Sequence, residues 1–116
     1  MPLVKPLPIS WLIHDIQYEP YLTRDRLGNH VFGEPITIEN VRYDESTAHT
    51  VQPATEYKLS SNGVIFVDYR NSINLPDEFV EKSRITFNGK QLILQRVITC
   101  YHPDVNVVRH YELEVV

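Results

Sequence analysis

Apolar and polar positions alternate most clearly between Arg84 and Leu94, where two strand-like runs flank Asn88-Gly89. A type I′ turn needs positive φ at both central residues, which Asn tolerates and Gly adopts freely. Such a turn also fixes register, pairing Phe87 with Lys90, Thr86 with Gln91, Ile85 with Leu92 and Arg84 with Ile93. Ile85, Phe87, Leu92 and Leu94 then share an apolar face, while Arg84, Thr86, Gln91 and Gln95 mostly occupy the other. Pattern and turn chemistry agree on an antiparallel hairpin.

The remaining elements follow from the same reading. Trp11 to Tyr18 predicts a strand with Leu12, Ile16 and Tyr18 on one side and Trp11 and Ile13 on the other, ended by Pro20. Tyr21 to Gly33 reads as a loop, its charges and Gly28-Asn29 suiting an exposed turn. From Ile36 to Asp44 the apolar positions run Ile36, Ile38, Val41, Tyr43, and an extra residue near Glu39-Asn40 restores the phase, so a β-bulge is expected there. Residues 45–61 lack a period and read as a long loop. Val64 to Tyr69 is apolar enough to be a central strand, and Asp77 to Lys82 predicts a single helical turn begun by Pro76. The strand from Lys90 runs on to Tyr101 and stops before Pro103. A last strand, Val107 to Val116, sets Tyr111, Leu113 and Val115 against a wet side of His110, Glu112 and Glu114. The fold class expected is all-β, a small antiparallel barrel or sandwich of five to seven strands with long loops and little helix.

Composition narrows the setting. At 116 residues the chain reads as one domain, 1–116, able to bury roughly two-thirds of its unfolded surface. The single cysteine, Cys100, has no internal disulfide partner, which fits a reducing compartment or a virus assembled in a cytoplasm. Residues 1–10, with Pro2, Pro6 and Pro8, read as an extended arm and not as a signal peptide. No segment nears the roughly 20 apolar residues of a membrane span, so no membrane partner is expected. Net charge is −4 and the eleven basic residues are scattered, against a phosphate-binding face.

Candidate chemistry is sparse. His110 and Glu112 lie two apart on one strand face, a spacing able to chelate zinc, but on the side read as solvated and without further ligands. His102-Pro103-Asp104 reads as a turn, and His14, His30 and His49 stand apart in sequence. No metal and no cofactor are therefore expected. Four glycines build no phosphate loop, and no Gly-x-Ser-x-Gly elbow occurs. Asp68 and Arg70 share a strand face and read as an ion pair at a strand end. Seven tyrosines and Trp11 could stack bases, giving a second reading as a small barrel that binds single-stranded nucleic acid or a peptide. An enzyme ranks third, for want of a nucleophile and base.

An ordered set of landmarks crosses nearly the whole chain. It comprises Ile13-His14-Asp15 with Tyr18 and Glu19, Asp25-Arg26-Leu27-Gly28-Asn29 before Gly33-Glu34-Pro35-Ile36-Thr37-Ile38, and Asn40-Val41-Arg42. It continues through Ile65-Phe66-Val67-Asp68-Tyr69 with Asn71-Ser72, Arg84 to Lys90, and His110-Tyr111-Glu112-Leu113-Glu114. Together these resemble the minor capsid proteins of tailed phages and prophages of Gram-positive bacteria. The resemblance implies a structural virion protein in head completion or head–tail joining, akin to the stoppers below portal and adaptor rings, and not an enzyme. It implies sister copies, an adaptor and a tail terminator as partners, DNA only as passing cargo, and residence in the host cytoplasm until assembly. Arm, strand edges and loop would then meet neighbours. The candidate contacts are Pro2, Pro6, Pro8, Arg24, Arg26, His49, Val51, Gln52, Tyr57, Val115 and Val116.

Overall fold

The computed structural model describes residues 7–45 and 63–116. After a short 3-10 turn at Ile9–Trp11 come eight strands: β1 His14–Glu19, β2 Tyr21–Arg24, β3 His30–Phe32, β4 Ile36–Glu45, β5 Gly63–Asp68, β6 Arg84–Phe87, β7 Lys90–Tyr101 and β8 Val108–Val115. Six of them close an antiparallel barrel in the order β1-β4-β5-β8-β7-β6, and β2 and β3 form a separate two-stranded sheet. The all-β expectation holds, in its barrel form. Among the described residues no helix is long and apolar enough to cross a membrane.

The β6–β7 hairpin has the register that its turn dictates, Phe87 opposite Lys90 through Arg84 opposite Ile93, with φ of 51° at Asn88 and 79° at Gly89. The bulge on β4 is also where phase demanded it. His14 faces Val41 and Ile16 faces Ile38, so three steps on β4 oppose two on β1, and Asn40 takes a φ of 61°. That extra residue brings both Ile38 and Val41 inward. The core gathers Ile16 and Tyr18 of β1, Ile65 and Val67 of β5, Ile85 of β6, Leu92 and Leu94 of β7, and Leu113 and Val115 of β8. Each such side chain contributes about 1.5–3 kcal/mol by leaving water.

From the segment 69–83, Leu75 and Phe79 pack against the barrel core. Phe79 meets Tyr18 and Tyr111 edge-on, each with ring centroids 5.2 Å apart. The Tyr18 hydroxyl, on a fully buried side chain, accepts the Val80 N–H at 2.8 Å. Ser83 Oγ donates to Val80 O at 2.6 Å and accepts the Tyr21 N–H at 2.9 Å. The helical turn expected at Asp77–Lys82 does not form. Lys82 instead adopts a φ of 79° and donates to Leu94 O, extending the β6–β7 ladder, so these amides serve the barrel and not a helix.

Three other expectations change. Trp11 and Ile13 precede β1, which starts only at His14, and both are exposed while Leu12 turns inward. The segment from Tyr21 to Gly33 is a hairpin and not a loop, with Tyr21 opposite Phe32 and Arg24 opposite His30. The terminal strand is not an edge: β8 is hydrogen-bonded to β5 on one side and β7 on the other, and Val116 continues the ladder to Ile93.

Candidate functional site

Three surfaces stand out on this frame, each placed by local chemistry. The first is the root of the N-terminal arm. Asp68, at the end of β5 and fully buried, accepts the N–H groups of Leu7 at 2.9 Å, Arg70 at 3.0 Å and Asn71 at 2.8 Å. Asn71 Nδ2 returns a bond to Leu7 O at 2.8 Å, and Asn40 Nδ2 donates to Asn71 O at 3.1 Å. The carboxylate is thus occupied by backbone, and the ion pair with Arg70 expected from the sequence is replaced by a turn that holds arm and bulge together. Beyond it, Leu7, Trp11, Leu12 and Phe66 line an apolar groove of about 370 Å³ rimmed by Arg42 and Asp44. Those two rim residues pair at 2.9 Å.

The second surface is the β2–β3 hairpin. Asp25 Oδ1 accepts the N–H groups of Leu27 and Asn29, both at 2.9 Å, and Gly28 supplies a φ of 87°. These bonds, that from Asn29 foremost, hold the Asp25 carboxyl below its ordinary value. Leu22 is 59% exposed and Leu27 83% exposed, and Arg24 and Arg26, which lie between them in sequence, are exposed as well. At the base the Arg84 guanidinium lies 4.4 Å from the centre of the Phe32 ring while donating to Glu19 at 2.8 and 3.4 Å. Its bond to Glu19 raises the Arg84 pKa further. A cation clamped by a carboxylate and seated on an aromatic face orients the hairpin against the barrel.

The third is the outer wall of β7 and β8. β7 pairs with β6 only through Ile93, so among the described strands Gln95–Tyr101 pairs with β8 alone. Here the sequence reading of a solvated His110 fails: the residue is only 7% exposed, lying beside Phe66, its Nε2 3.1 Å from Glu112 Oε2. Cys100 sits directly opposite His110, with Sγ 3.8 Å from the same carboxylate oxygen. Burial, and then the Glu112 charge, push the Cys100 thiol pKa up. Ligand atoms of Cys100, His110 and Glu112 all lie within 4.8 Å of one another. The sequence signal for His110 and Glu112 was their spacing; nothing local tied Cys100 to them.

Of the candidate contacts, Arg24 and Arg26 are both exposed on the hairpin and Pro8 is exposed before the 3-10 turn. Val115 is fully buried in the core and Val116 is half-buried beside it. Pro2, Pro6, His49, Val51, Gln52 and Tyr57 lie outside the described residues, as does nearly all of the loop expected at 45–61.

The family model for minor capsid proteins matches residues 8–115. The chain belongs to the minor capsid protein family. Comparison with the curated proteins and with the solved structures gives no match. Family membership assigns a structural role in the phage virion, and the barrel and the β2–β3 hairpin fall within the matched residues. The ordered landmarks gain a physical meaning from the fold. Asp68, Asn71 and Asn40 build the arm root, Asp25 to Asn29 the hairpin tip, and His110 and Glu112 the outer wall.

Proposed function

We propose that this minor capsid protein works at the head–tail junction, in head completion or head–tail joining, as a stopper-like ring subunit touching sister copies, an adaptor and a tail terminator. The whole chain acts there as one barrel domain, entering the virion from the cytoplasm of a Gram-positive host. The observation that carries this reading is the β2–β3 hairpin. A closed barrel pairs most of its strand edges, so neighbours are met chiefly by what stands outside it. The hairpin presents Leu22 and Leu27 with Arg24 and Arg26 between them in sequence, on a chain whose net charge is −4. Arginine beside exposed apolar side chains is interface chemistry, and the acidic remainder of a sister copy complements it. The arm, with its candidate contacts Pro2, Pro6 and Pro8, is the second contact proposed for a neighbour.

The test is a phage carrying Arg24→Glu with Arg26→Glu, next to one lacking the gene. Electron microscopy is expected to find DNA-filled heads without tails in the deletion and at least a tenfold loss of tailed particles in the double variant. Purified variant protein should unfold at the unchanged denaturant concentration. Normal tailed particles from the deletion phage would overturn the reading.

A further inference from the structure

The outer wall of β7 and β8 offers a site that neither family membership nor the junction role uses. We propose that Cys100 Sγ, His110 Nε2 and Glu112 Oε2 bind one zinc-class divalent transition-metal ion, leaving a fourth position open to water.

Register builds the site. Cys100 and His110 are direct cross-strand partners, and Glu112, two residues along β8, points to the same face. Tetrahedral zinc holds sulfur at about 2.3 Å and nitrogen or oxygen at about 2.0–2.2 Å, which sets neighbouring ligand atoms roughly 3.3–3.8 Å apart. The nitrogen–oxygen distance here is 3.1 Å and the sulfur–oxygen distance 3.8 Å, with all three atoms inside 4.8 Å. Two of the three separations are thus near those of a tetrahedral face, and rotation of the Cys100 and His110 side chains would bring sulfur and nitrogen to theirs.

Chemistry selects the ion class. A thiolate and an imidazole are poor ligands for magnesium or calcium and good ones for zinc or cobalt, while the carboxylate lowers the net charge of the complex. On binding, the thiol proton leaves to solvent, and the imidazole carries its one proton on Nδ1 so that the Nε2 lone pair faces the metal. His110 is buried without being apolar, and its Nδ1 has no hydrogen-bond partner in the described structure. The imidazole is thus held in place by packing against Phe66 and by Glu112. The Glu112 side chain is 31% exposed, which leaves a path for an entering ion and room for the fourth ligand.

Position gives the site a use. Past Ile93, β7 has β8 as its only partner among the described strands, so this ribbon lacks support on one edge. A metal joining Cys100 to His110 and Glu112 staples the two strands there. An ion present at about 100 times its dissociation constant raises the folded-to-unfolded ratio about 100-fold, provided that it binds only the folded chain.

The test uses the untagged, reduced full chain titrated with Co²⁺, whose thiolate charge-transfer and tetrahedral d–d absorption report ligand type directly. One equivalent is expected to develop both bands, Zn²⁺ to bleach them, and Mg²⁺ to leave them unchanged. Cys100→Ser should abolish the charge-transfer band, and Glu112→Gln should weaken binding at least tenfold, while His102→Ala binds like the parent. Circular dichroism checks that each variant is folded. Absence of a thiolate band in the parent protein, or a band undiminished in Cys100→Ser, would overturn the proposal without touching the junction role.

Discussion

The β6–β7 and β2–β3 hairpins have similarly short paired stretches around turns with left-handed backbone, yet they differ in what they stand on. In β6–β7 the cross-strand pair Ile85–Leu92 is buried and feeds the core. In β2–β3 the pairs are Tyr21–Phe32, Thr23–Val31 and Arg24–His30, and none of these residues is buried. Turn chemistry is therefore equal to forming either hairpin, but only the first is tied to the cooperative unit of the fold. The second is held by its Asp25 turn and by Arg84 and Lys82 seated against Phe32 and Tyr21. A hairpin so attached keeps its shape while staying available to a neighbour.

Three measurements break or sharpen this contrast. The largest effect is expected in the cores: Leu94→Ala should cost about 3 kcal/mol of unfolding free energy in urea, because it opens a cavity in the packed barrel. Leu22→Ala, on the outer hairpin, should cost less than about 0.5 kcal/mol. Comparable losses would mean that β2–β3 is part of the core after all. Next come the turns themselves. Gly89 and Gly28 have φ of 79° and 87°, and an added Cβ meets nothing within 4 Å at either, so alanine imposes the same backbone strain, about 1–2 kcal/mol. Gly89→Ala should lower global stability by about 1 kcal/mol, whereas Gly28→Ala should leave the urea midpoint in place and speed amide exchange between Tyr21 and Phe32. The smallest effect concerns pH. Backbone bonds depress the Asp25 pKa from 3.8 in the folded hairpin, so the stabilisation is complete above that value and is lost as pH falls through the folded pKa. Chemical shifts of Leu27 and Asn29 should move in acid before those of Phe87 and Lys90, and Asp25→Asn should remove the difference.

The parts of the fold legible in the sequence are those where one face is apolar and the turn permits one register. The Asn88-Gly89 hairpin and the β4 bulge are of this kind, since a slipped phase would have sent Ile38 or Val41 into water. The β2–β3 hairpin was not legible because its support, Arg84, is about fifty residues away and leaves no period in the local pattern. Asp77–Lys82 carried good helix signals, and tertiary demand for its amides by Tyr18 and Leu94 overrode them.

The Cys100 cluster was hidden for a sharper reason. Leaving the turn, Tyr101 faces Val108, which by simple counting would set Cys100 against Arg109; a one-residue irregularity sets it against His110 instead. Nothing in the segment from His102 to Val107 announces that slip, and the identity of the wall depends on it. The solvated face read from alternation was correct for Glu112 and Glu114, which are only half-buried, and failed at His110, where Phe66 lies alongside the ring.

The Leu7–Asp68–Asn71 tie has a mechanical consequence. Tension applied at Leu7 is delivered to hydrogen bonds at the end of β5, and through Asn40 to the neighbouring strand, before any ladder is sheared. A subunit leashed in this way passes a pull at Leu7 into its rigid wall instead of loosening the segment that leads into β1.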